Sequence, residues 1–180
     1  MGSRLPCGAT VVWQGPCLGA DNLRPGSSPT IIEVMKDSVN AERHRDGRTP
    51  LHYAALKDDL GTATRLIGEG ANPNVADRAG LTPLHFAAQE GSLSVARALL
   101  EGGADVSAED RHGNTPLWTA VFNSRGRGDI ITLLRDRGAD PSHRNQHGKT
   151  PFDLAQTIAN YPVAQWFDDL APSGKVLPSE

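Results

Sequence analysis

Beyond residue 17 the chain has no cysteine. Its two cysteines, Cys7 and Cys17, both stand in the N-terminal segment of the 180 residues, so no disulfide can staple the body of the fold, and a reducing compartment is the simpler setting. Long apolar runs are missing as well: none approaches the ~18 residues of a membrane span. The run Ala9-Thr-Val-Val-Trp13 is too short for a signal-peptide core, and Gln14-Gly15-Pro16 before Cys17 is a poor lipoprotein cleavage context. These absences predict a cytoplasmic protein that does not enter a membrane. An excess of positive charge is also lacking. The net charge of -3 argues against non-specific binding to nucleic acid.

Catalytic groupings are equally scarce. No Cys–His, Ser–His–Asp or paired-carboxylate set stands apart from the surrounding sequence, and the chain is expected to be no enzyme. Asp58-Asp59 and Asp168-Asp169 fall at an inter-helix turn and near a terminal helix, where solvated faces explain them. Gly148-Lys149-Thr150 imitates the end of a phosphate loop, yet His143 occupies the place of that loop's first glycine. His143 and His147 have the spacing of a helical metal pair but lie in a loop without a third ligand. No metal and no cofactor are expected.

What the chain does contain is a soluble composition and a strict period. Hydrophobic residues make up 38% and charged residues 22%, which suits one globular domain with a real core. Arginine supplies 14 of the 18 basic residues, and its planar fork favours bidentate contacts with carboxylates. Residues 1–30 are rich in Gly, Pro and Ser and predict a disordered tail. From Ile31 the chain becomes periodic. Thr-Pro pairs begin at Thr49, Thr82, Thr115 and Thr150, with spacings of 33, 33 and 35, and a glycine precedes each threonine by two residues. A period near 33 means one supersecondary unit stacked on itself.

One unit can be read in residues 77–106. Thr82 is placed to cap a helix whose first residue is Pro83, where the missing amide costs nothing. Leu84, Ala87 and Ala88 give a small-residue face, and Gly91 ends the helix. Leu93, Val95, Ala96, Leu99 and Leu100 form the stripe of a second helix, closed by Gly102-Gly103. Asp110-Arg-His-Gly113 then reads as a hairpin tip.

With TPLHYAA at 49–55, TPLHFAA at 82–88, GADV at 103–106 and DRHGNTPL at 110–117, the chain resembles the ankyrin-repeat family. The resemblance covers residues 31–171. It implies an all-α solenoid of about four helix-turn-helix repeats with β-hairpin loops, plus an N-terminal partial repeat over Thr30–Lys36 and Val39-Asn40-Ala41. The fourth copy has Asp153 in place of histidine and a shortened second helix, so Trp166 and Phe167 are available to seal the end of the core. Residues 172–180 predict a disordered C-terminal tail.

The resemblance also implies a function, binding another protein through a concave groove of hairpin tips and first-helix residues. His52 and His85 are expected to be structural, each bonding its own threonine and a neighbouring backbone. Carried over by position, the candidate contacts are Arg45, Arg48, Arg78, Gln89, Arg111, His112, Trp118, Phe122, Asn123, Arg125 and Arg127. The basic tips predict an acidic partner. The third copy departs most from the pattern. Trp118 replaces the histidine, Phe122-Asn123 replaces Gln-Glu, and Arg125-Gly-Arg-Gly128 lengthens the inter-helix turn by two residues. The expected protein is a free-standing monomer that binds stoichiometrically, resembling immunity proteins that neutralise a toxin. The alternative is a non-inhibitory scaffold or adaptor for a cytoplasmic enzyme.

Overall fold

A computed structural model describes residues 45–158 and 162–170. Residues 1–44, which hold the N-terminal tail and the partial repeat, and the C-terminal tail lie outside the described residues. Seven α-helices follow one another in pairs: α1 Pro50–Leu56, α2 Leu60–Gly68, α3 Pro83–Glu90, α4 Leu93–Glu101, α5 Pro116–Asn123, α6 Asp129–Asp136 and α7 Pro151–Thr157. A 3-10 helix, Val163–Leu170, completes the fourth pair, in place of a full second helix.

Each first helix begins the same way. Thr49, Thr82, Thr115 and Thr150 occupy the N-cap in extended conformation, followed by proline at the first helical position. In α1 and α3 the third helical residue is histidine, whose Nδ1 accepts from the capping threonine's amide at 3.0 and 3.1 Å. That acceptor role leaves the ring proton on Nε2, which donates to the Leu81 carbonyl from His52 and to the Asn114 carbonyl from His85, each at 3.1 Å. One side chain therefore closes its own helix and ties it to the next repeat. In α7, Asp153 accepts from the Thr150 amide at 3.0 Å while its own amide donates to Thr150 Oγ1 at 2.9 Å.

The helices stack in two rows, α1, α3, α5 and α7 in one and α2, α4 and α6 in the other. Equivalent residues fill the space between rows. Leu51, Leu84 and Leu117 are buried, as are Ala54, Ala87 and Ala120, and Leu66, Leu99 and Leu134 from the second helices. Alanine at the contact lets the first helices approach closely, so burial repeats with the sequence period rather than being concentrated at one centre.

The loops reverse direction as hairpin tips, with no strand assigned among the described residues. Asp77, Asp110 and Asn145 organise them. Asp77 Oδ1 accepts from the amides of Ala79 and Leu81, Asp110 Oδ1 from His112 and Asn114, and Asn145 Oδ1 from His147 and Lys149. These are turns in which a side-chain oxygen stands in for backbone. Successive tips join through one backbone bond each: Arg78 N–H to Asp46, Arg111 N–H to Ala79, and Gln146 N–H to His112, all 2.9–3.0 Å. Gly80 shows why a glycine recurs there. Its φ is +83°, and a Cβ would come within 2.8 Å of the Arg111 nitrogen.

Candidate binding surface

The expected contacts fall into two groups at opposite ends of the first helices, about 12 Å apart along a helix of eight residues. At the tips, Arg45, Arg78, Arg111 and His112 are exposed on adjoining turns. Three arginines thus recur at one position, and the backbone bonds between tips hold them in a row. His112 stacks on His147 of the next tip, with ring centroids 6.4 Å apart. His143 turns away from that pair and places Nε2 3.2 Å from the Gly113 carbonyl. The two histidines with helical metal spacing are thus engaged in different contacts. Among the described residues no three His, Cys, Asp or Glu side chains gather as a metal site would require.

Arg48 sits at the base of the tips and is already occupied. Its Nε lies 3.3 Å from Asp77 Oδ2, and its guanidinium covers the buried Phe86 ring at 4.7 Å. A partner would meet the edge of that group rather than a free fork. Trp118 is half-buried, and its amide reaches Thr115 Oγ1 at 3.5 Å. A tryptophan cannot make both bonds that the imidazole makes, and no bond like those of His52 and His85 to the following repeat runs from its ring among the described residues. Other contacts join the third and fourth repeats: Asn145 Nδ2 donates to Asn114 Oδ1 at 2.9 Å, beside the His143 contact with Gly113.

At the other end, α5 and the lengthened turn gather the remaining candidates. Phe122 is 69% exposed, far more than a large apolar side chain normally shows. Asn123 Nδ2 donates to the Thr119 carbonyl at 3.0 Å. Gln89, Asn123, Arg125 and Arg127, together with Glu90, line one polar recess of about 150 Å³. Arg125 takes the left-handed conformation with φ +47°. Arg127 lies over Gly91, where a Cβ would be 3.2 Å from Nη2. Gly91 looks ordinary in its own repeat and gives no sign of the recess, whereas Glu90 follows Gln89 among the first-helix positions expected to line the groove. Only the neighbour's insertion gives Gly91 a role.

Titration separates scaffold from surface. Burial is the main cause that holds the His52 and His85 imidazoles below their ordinary value, against the raising effect of the carbonyls they contact. Both are therefore neutral structural groups at neutral pH. The Thr62 hydroxyl, then its amide, lowers the Asp59 carboxyl at the start of α2. The Thr150 amide, followed by its hydroxyl, does the same for Asp153. These shifted groups belong to caps and need no catalytic explanation.

The repeat geometry and its histidine ties agree with a family model described as ankyrin repeats (3 copies), which matches residues 51–145. The chain belongs to the ankyrin-repeat family. A search of curated proteins finds no match. Ankyrin repeats are protein–protein interaction modules, so the ankyrin scaffold accounts for a surface that varies between repeats over a core that does not. No helix among the described residues is long and apolar enough to cross a membrane.

Proposed function

We propose that this ankyrin-repeat protein binds an acidic protein partner along its concave side and acts as a stoichiometric inhibitor of the immunity type, with a toxin as the partner class. Binding is the whole of its action, without catalysis, in the cytoplasm and as a monomer when free. The observation that carries the reading is Phe122, a 69% exposed aromatic between a row of basic tips and a turn with two arginines. An exposed aromatic flanked by cations is the kind of anchor that dominates interface energies, and the basic row steers an acidic partner toward it.

The test uses the full chain as bait in its native host, with the captured partner then assayed alone. An inhibitor abolishes the partner's activity at a one-to-one ratio, and Phe122→Ala weakens both capture and inhibition by tenfold or more, roughly the effect of losing an interface anchor. A partner that keeps full activity at saturation marks the protein as an adaptor. Equal capture by the Phe122→Ala chain would remove the surface assignment.

A further inference from the structure

We propose that the recess between the end of α3 and the lengthened turn is a carboxylate-binding subsite. It takes one acidic group of the partner while a neighbouring apolar side chain rests on Phe122. This rests on the protein-binding reading above and specifies the chemistry of one part of that surface.

The lining decides the ligand. Arg125 and Arg127 bring two guanidinium groups to the recess beside the amides of Gln89 and Asn123. Neither arginine has an ion-pair partner among the described residues. Unpaired guanidiniums on one small cavity present several N–H donors and no acceptor. Glu90 is the one acid on the lining, and its Oε1 is engaged by Gln89 Nε2 at 3.0 Å. Two cations and one anion leave a single positive charge. A carboxylate neutralises it, whereas a phosphate monoester, carrying roughly -1.5 to -2 charges, would overshoot and face Glu90. The size agrees: about 150 Å³ is the room of about five water molecules, enough for a carboxylate and its first contacts.

The site is also partly organised before anything binds. Gly91 lacks the Cβ that would meet Arg127 Nη2 at 3.2 Å, so the guanidinium settles against bare backbone one repeat away. The corresponding turn of the first repeat reads Lys57-Asp58-Asp59 and offers acids in place of the arginine pair. The subsite therefore belongs to the insertion, not to the repeat in general.

The experiment is an NMR titration of the full ¹⁵N-labelled chain, following the Arg125 and Arg127 Nε–H and Asn123 side-chain amide signals. The probes are Ac-Leu-Glu-NH2, Ac-Leu-OH, the neutral Ac-Leu-Gln-NH2, and methyl phosphate. Saturable shifts are expected with the two carboxylates only, and the tighter of them tells whether the partner offers a side chain or a chain terminus. Replacing both arginines by glutamine should weaken the carboxylates roughly tenfold, the loss expected for charge-assisted bonds. Equal shifts with the neutral probe, tighter binding of methyl phosphate, or unchanged affinity in the double variant would overturn the assignment. Partner capture lost in Phe122→Ala but kept in the double variant would sink the carboxylate subsite alone, leaving the protein-binding reading in place.

Discussion

His52 and His85 show how much of the fold can depend on one atom of a side chain. Each ring needs Nδ1 as an acceptor and Nε2–H as a donor, so only the neutral form satisfies both partners. Burial depresses both folded-state values below 6.5. The unfolded chain then binds protons more readily than the native one. Stability is complete above the unfolded value and falls as pH drops from about 6.5 toward the folded values. Urea melts should show this loss between pH 7 and 5, and it should shrink in His85→Asn. The lowered carboxyls of Asp59, Asp140 and Asp153 give a second, separate loss as pH falls below 3.8. A melt that is flat from pH 7 to 5 would show that the rings keep ordinary proton affinities.

Trp118 is the converse case at the same position. Its ring replaces a donor that both earlier repeats use, and the Asn145–Asn114 bond lies across the same junction. Trp118→His restores the residue that can reach the next repeat's carbonyl. An added stability of about 1 kcal/mol is expected, the usual net worth of one hydrogen bond, measured by urea denaturation at pH 7.5. Partner affinity decides the rest. If it is unchanged, the indole is only space-filling; a tenfold loss would place the indole in the interface.

Among the elements, the lengthened turn is where local rules are broken. It holds two successive left-handed residues, Arg125 and Gly126, where the second repeat uses Gly91 alone. At the far end Gly128 is buried under the Trp166 indole, with no room for a Cβ. Ahead of both, at the end of α5, Ser124 has a buried hydroxyl with no hydrogen-bond partner. Ser92, at the opposite end of the preceding inter-helix turn, donates to the Ala55 carbonyl at 3.2 Å. The two serines should answer alanine in opposite ways. Ser92→Ala should lose about 1 kcal/mol, while Ser124→Ala should be neutral or gain up to about 1 kcal/mol, since a buried polar group without a partner is a cost. Equal losses in urea melts would mean that the Ser124 hydroxyl is satisfied in solution.

The same elements show what could be read beforehand. Four Thr-Pro caps, the ends of α3 and α4 and the burial of Phe167 follow from residue type and period, because each depends on local chemistry repeated in register. Arg48 does not follow. Its engagement with Asp77 spans 29 residues, the offset that also separates His52 from Leu81 and His85 from Asn114. That offset is the repeat length less one helical turn, so it becomes visible only once units are stacked. The recess is hidden for a related reason: Gln89 and Glu90 acquire neighbours from an insertion in the following repeat.

At the scale of the whole molecule, each repeat contacts only its neighbours, so the last one must be closed by something that is not a repeat. Phe167 does this. It is fully buried, meets Phe152 edge-to-face at 6.1 Å, and lies under the Arg135 guanidinium at 5.2 Å, while Arg135 also donates to the Trp166 carbonyl. Truncating a buried phenylalanine costs about 3–5 kcal/mol, a large share of the stability of a small domain. In a solenoid that loss is not spread evenly, because stability is a sum over repeats and the interfaces between adjacent ones. Phe167→Ala should therefore strip hydrogen-exchange protection from α7 and the 3-10 helix first, reach α6 through Arg135, and leave α1 to α4 protected. The partner contacts proposed for Arg45, Arg78 and Arg111 should survive, whereas those proposed for the lengthened turn, which borders Trp166, should weaken. Exchange measured by mass spectrometry separates this from the alternative. Equal deprotection of all seven helices would mean that the stack unfolds as one unit and that the terminal cap stabilises every repeat alike.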